Sequence, residues 1–192
     1  MGDMKKRGKG ISLKDRLGLF LSNYKQLHHA ATTHDNEEVG RTAVDIIAGS
    51  KMLSEWDKSY YFGDTAIFAP SLTVAEEAWG RMENSGMPEL SKVDRAKFIA
   101  SFSKHEPVAI DALDYMEKSN IDERDKVKNA DYIGAHTDHL SVAKRTLNFI
   151  LRSPVGNEEK IPYIRELSNR SKHSSIKKRA REWLKGYRII KA

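Results

Sequence analysis

The chain has 192 residues, a net charge of +6, 31% charged and 39% hydrophobic residues, and no cysteine. That length is enough for one continuous core, and the absence of thiols excludes disulfides and thiolate metal centres. No apolar run reaches a membrane span and residues 1–10 lack the apolar stretch of a signal peptide, so a soluble cytoplasmic protein with no membrane partner is expected.

In chain order, residues 1–11 carry Lys5, Lys6, Arg7 and Lys9 without periodicity and read as a disordered basic arm. Ser12, ahead of Leu13 and Asp15, suits a helix cap with an acidic first turn. Residues 12–192 then read as a single domain of five helix pairs, at about 13–50, 51–86, 87–119, 120–153 and 154–188. Gly86 with Pro88, Asn120, Pro154 with Gly156, and Gly186 fall where second helices stop, and Pro70 and Pro107 fall where second helices start. No strand-like alternation persists anywhere, so the expected class is all-α.

The pairs are set by an internal repeat of 34 or 35 residues. Val39, Val74, Val108, Val142 and Ile176 open the second helices. Four residues on come Ala43, Ala78, Ala112, Thr146 and Ala180, and then Ile47, Met82, Met116, Ile150 and Leu184. The first helices carry Val93, Val127 and Ile161, then Ala96, Ala130 and Ile164, then Ile99, Ile133 and Leu167. Tyr24, Leu27 and Ala30 fit these columns in the first pair, whereas Phe62, Thr65 and Phe68 fit only partly in the second. A fixed period of this length is the mark of a solenoid, whose units bury their apolar faces against their neighbours. The residues after the openers, Gly40, Ala75, Ala109 and Ala143, are small and predict close contact between units. The last copy has Lys177 there, and Arg181 where the others have Val44, Trp79, Leu113 and Leu147, as suits an end unit with a polar outer face.

The stretches Glu106-Pro107-Val108-Ala109-Ile110-Asp111-Ala112-Leu113 and Ser175-Ile176-Lys177-Lys178-Arg179-Ala180-Arg181-Glu182-Trp183-Leu184 resemble the second helix of HEAT repeats. The tetratricopeptide alternative shares the period, but its first-helix Trp/Leu/Gly/Tyr pattern is missing. The resemblance implies a right-handed α-solenoid of about five HEAT-like helix pairs, with the second helices lining a concave groove. It implies an architecture and no particular activity.

On that register the groove positions are Arg41-Thr42, Glu76-Glu77, Ile110-Asp111, Lys144-Arg145 and Lys178-Arg179. Asp114 and Glu117 deepen an acidic middle. Lys144 with Lys178 and Arg145 with Arg179 stack as a basic strip one repeat apart, joined by Arg152 and Arg181. Residues 165–192 carry a net +8 and residues 1–16 a net +4, leaving −6 between them. Clustered Lys/Arg on one face is an anion-binding footprint, so the expected function is a non-catalytic scaffold that takes an acidic protein segment. Nucleic-acid binding through the same strip and the arm is the alternative. A third reading draws on the alkyl-purine DNA glycosylases, which have HEAT-like folds. Trp79 and Trp183 sit in core columns here, and no residue matches that family's catalytic pocket.

No nucleophile elbow, phosphate-binding glycine loop or metalloprotease motif is present, and no cofactor is implied. Of the seven histidines, His105, His139 and His173 lie three residues before an opener, and His34 lies five before its own. They read as turn features along one edge, too far apart to share a metal, so His136 and His139 are not expected to form a metal site. The aromatic run Trp56, Tyr60, Tyr61, Phe62 and Phe68 reads as core between two units.

Overall fold

The computed structural model describes residues 23–191, with side chains as far as 187. The basic arm expected at 1–11 and the helix start expected at Ser12 lie outside them. The described residues form ten α-helices and no strand: α1 Tyr24–Thr33, α2 Glu37–Gly49, α3 Glu55–Phe68, α4 Leu72–Glu83, α5 Glu89–Phe102, α6 Glu106–Lys118, α7 Glu123–His136, α8 Leu140–Arg152, α9 Asn157–Arg170 and α10 Ser174–Lys191. Each odd helix packs on the even helix after it, successive odd helices pack together, and so do successive even helices. This layout is consistent with a helical repeat, and the four expected pair boundaries all fall in loops.

Local chemistry starts the helices where they start. Asn36 caps α2 by accepting from the backbone of Glu38 and Val39, with Glu37 and Glu38 at the positive end of the dipole. Ser54 and Asp57 form a capping box at α3. Pro107 occupies the first turn of α6, where a missing N–H costs nothing.

The repeat columns form the core. Val74, Val108, Val142 and Ile176 are buried, as are Ala43, Ala78, Ala112, Thr146 and Ala180. Ile47, Met82, Met116 and Ile150 are also buried, each contributing about 1.5–3 kcal/mol over an exposed position. Only the ends loosen: Val39 and Leu184 are half-buried. The small residues after the openers are close contacts as expected, since a β-carbon on Gly40 would lie 3.0 Å from Val74 Cγ2.

The second first-helix is fully helical and in register with the others, its stripe lying 34 residues before Val93, Ala96 and Ile99 and one turn earlier than Phe62, Thr65 and Phe68 suggest. Its core stripe is Ser59, Phe62 and Thr65, all buried, and Phe68 lies outside it at 48% exposed. Trp56 and Tyr60 are likewise exposed, at 57% and 49%. The expectation of an aromatic core there is therefore corrected: only Phe62 is buried and Tyr61 is half-buried.

The turn inside each of the last three pairs repeats one motif: Ser103-Lys104-His105, Thr137-Asp138-His139 and Ser171-Lys172-His173. In each, the hydroxyl oxygen accepts from the histidine's backbone N–H, at 3.2, 3.2 and 3.4 Å. The histidine Nε2–H then donates to a carbonyl in the turn of the preceding pair: His105 to Ala69 at 2.9 Å, His139 to Ser103 at 2.9 Å and His173 to Thr137 at 3.2 Å. A carbonyl can only accept, so each Nε2 carries the proton. These histidines are stitches between units. His34 differs: at the turn between α1 and α2 its Nδ1 accepts from Asn36 N at 3.1 Å, filling the place of the hydroxyl.

A second ladder was also present in the spacing: Lys58, Lys92, Lys126 and Lys160 recur every 34 residues. Lys92 donates to Glu83 O, and Lys160, 4% exposed, donates to Leu151 O and Ser153 O. Each satisfies carbonyls left open where the preceding even helix ends.

Candidate anion-binding face

The exposed side of the even helices carries charge that changes sign along the chain. In the first two pairs, cations and carboxylates of adjacent helices neutralise each other. Arg41 Nε donates to Glu77 at 3.1 Å, and Arg81 bridges Asp45 and Glu77 at 2.5 and 2.8 Å. In the middle, Trp79, Glu83, Glu89, Asp111, Asp114 and Tyr115 line an acidic depression of about 430 Å³.

Beside it, Ser141, Lys144, Arg145, Asn148, Phe149 and Arg152 line a larger depression of about 530 Å³, together with Glu117 and Glu123, which pair with Arg145 and Lys126. Helix α8 presents Lys144, Asn148 and Arg152 at successive turns of one face, so the backbone itself converges them. Of the basic strip read from sequence, the structure brings Lys144, Arg145 and Arg152 together here. Lys178, Arg179 and Arg181 stand on α10, which packs against α8, and do not line this depression.

The six cations are not equivalent. Arg145 is clamped by two carboxylates of α6, donating to Glu117 through Nε and Nη2 at 3.2 and 2.6 Å and pairing with Asp114 through Nη1. The hydrogen bond to Glu117 holds its proton more tightly than usual. Arg145 therefore fixes the wall between the basic and acidic depressions instead of offering a free charge. Arg181 donates to Ser168 O at 3.2 Å, satisfying a carbonyl in the last turn of α9. Lys144, Arg152 and Arg179 have no carboxylate partner among the described residues, and Lys178 sits 4.0 Å from Glu182 while 80% exposed. Lys144, Arg152 and Arg179 are the free cations of the face, and Lys178 is held only by this long, exposed pair.

Sequence spacing alone aligned Arg145 with Arg179. It did not show that Asp114 and Glu117 reach Arg145 from the previous pair. Among the described residues, no three His, Asp or Glu side chains gather to hold a metal. No described helix is long and apolar enough to cross a membrane. Compared with protein-family models, curated proteins and solved structures, the chain matches none.

Proposed function

We propose that this chain is a HEAT-like, right-handed helical-repeat scaffold, non-catalytic, whose basic end takes an acidic protein segment. The observation that carries this reading is the pair of unpaired cations Lys144 and Arg152 lining a depression whose wall is fixed by the Arg145 clamp, with Lys178 and Arg179 on the neighbouring α10. Phe149 and Asn148 add an apolar surface and an amide, so an acidic segment with an apolar residue fits better than bare charge. The adjoining acidic depression favours protein over duplex. A nucleic-acid backbone running on past the basic end would meet the carboxylates of that depression, Glu83, Glu89 and Asp111, and be repelled.

The triple variant Lys144→Glu/Lys178→Glu/Arg179→Glu leaves the Arg145 clamp intact. A fluorescein-labelled Asp/Glu-rich octapeptide containing one Leu should bind wild type and lose affinity at least tenfold with the variant. A 20-base-pair duplex should bind only at low salt. Tight, salt-steep duplex binding, with a slope that falls by about 0.9 per cation removed, would instead support the phosphate-binding alternative. Equal peptide binding by a folded triple variant would end the anion-binding reading.

A further inference from the structure

Helix α1 is a turn shorter than its counterparts. It has 10 residues where α3, α5, α7 and α9 each have 14. Leu27 and Ala31 stand 35 residues before Phe62 and Ala66, so Tyr24, the first residue of α1, corresponds to Ser59 of α3. The first turn of α3, residues 55–58, therefore has no turn of α1 beside it. Asn23 closes α1 here: its backbone is extended and its side chain accepts from Lys25 N at 3.0 Å, so the chain before it leaves the axis of the helix. Tyr24 fixes where it leaves. Its hydroxyl lies 2.7 Å from Ser50 Oγ, which accepts from the backbone N–H groups of Met52 and Leu53 at 3.1 and 3.3 Å.

Around that point the surface is apolar. Met52 and Leu90, 86% and 66% exposed, join the exposed rings of Trp56 and Tyr60. Trp56 and Tyr60 are an i, i+4 pair on α3, and Leu90 holds the place of Trp56 on α5, 34 residues on, where the two helices pack together. The Arg95 guanidinium of α5 lies 4.4 Å from the centre of the Tyr60 ring and joins the two helices on this side. The four apolar side chains thus form one strip that runs from the loop before α3, across α3, to the start of α5. A contiguous exposed apolar surface of this kind marks a contact.

We propose that residues 12–22 of this same chain cover the strip, with Leu13, Leu17, Phe20 and Leu21 lying against Met52, Trp56 and Leu90. These four stand at i, i+4, i+7 and i+8, the spacing of one helical face, with Lys14 and Arg16 at its borders and Asp15 opposite. The chain enters at the right place, because Tyr24 is held at the loop that carries Met52. It also has the reach. At the helical rise, Leu13 to Leu21 spans about 12 Å, against about 8–10 Å between packed helix axes, so a segment that starts at Met52 extends to Leu90. A second copy of the chain offers the same four side chains, but a short tether holds its own segment at an effective concentration of about millimolar, which favours the contact within one molecule. The strip belongs to the odd helices, and its covering does not rest on the proposed anion binding.

The chain has no cysteine, so introduced thiols report contact without background. In the full chain, Leu13→Cys/Leu90→Cys should be joined within one molecule by a short bis-maleimide roughly tenfold faster than Leu13→Cys/Phe102→Cys, whose second thiol stands about three turns further along α5. Adding Leu17→Asp/Leu21→Asp should slow the first reaction by a similar factor, since it puts charge on the apolar contact. Thermal melts will verify that every variant is folded. Equal rates for the two thiol pairs, or a rate indifferent to Leu17→Asp/Leu21→Asp, would overturn the docking. A covalent dimer as the main product, formed at a rate that rises with protein concentration, would overturn the chain's own segment as the occupant.

Discussion

The turns inside the third, fourth and fifth pairs use one chemistry, a hydroxyl followed two residues later by a histidine that reaches back to the preceding pair. The outer faces of the same pairs never repeat, running from Phe98/Phe102 through Tyr132/His136 to Glu166/Arg170. Both sets of positions recur with the same spacing, so periodicity does not separate them. The difference is in what each must satisfy. A turn meets the turn of the next unit, the same geometric demand every time, and one solution serves all three. An outer face also touches its neighbours, Phe98 and Phe102 against Tyr132 and Arg170 against His136, but it has no fixed backbone group to satisfy, so its residues are free to vary. Among register-matched columns, constancy marks joints and variation marks candidate surfaces.

Three measurements test this division, in decreasing size of effect. Asp131 stands 34 residues from Lys97 and from Arg165, a column that varies, and should be destabilising as a carboxylate. Burial and the nearby Glu166 carboxylate raise its ordinary value of 3.8 to about 7 in the fold, against the lowering pull of Arg170, so the unfolded chain ionises first. Stability should therefore fall as pH rises from about 4 to 7 and stay level above that. Asp131→Asn should raise stability at pH 8 by at most roughly 4 kcal/mol, with the gain vanishing toward pH 4. Urea midpoints across that range will measure it. A stability penalty kept at a variable position is what a functional surface residue predicts, and a pH-independent effect would place Asp131 among the joints instead.

Next in size is a core column against its neighbour. Ala112 is fully buried, and Ala112→Leu should cost about 1–3 kcal/mol by overpacking. Asp111→Leu, on the exposed side, should stay within about 0.5 kcal/mol. The reverse order in urea would mean that the register is wrong. The smallest effect belongs to a single stitch. His139→Ala should cost about 1 kcal/mol, the net worth of one hydrogen bond. His139→Gln, which keeps an N–H donor, should recover part of it in thermal melts. No loss at His105, His139 or His173 would make the recurring histidines ornaments of the turn and remove the contrast.

Much of the fold was legible in advance, because a packing column needs only the right residue on the right side of its own helix. Val74, Ala78 and Met82 show that on sequence as clearly as in the structure. Helix α3 was obscured because its stripe opens on Ser59, a polar residue in a core column, which drew the count toward Phe68 instead. The lysine ladder of Lys92, Lys126 and Lys160 stood in the same spacing but on polar residues, where an apolar periodicity does not look.

The candidate face was half legible. Spacing put Lys144, Arg145, Lys178 and Arg179 in two rows. Only the packed structure separates Arg145, held by Asp114 and Glu117, from Lys144 and Arg179, which have no carboxylate partner, or closes α5, α7 and α9 around Asp131. The reason is one of range. Helical periodicity is written within about ten consecutive residues and fixes which face is buried. The neutralising or stranding of a charge depends on how far one unit is offset against the next, and that offset exists only once the units are stacked.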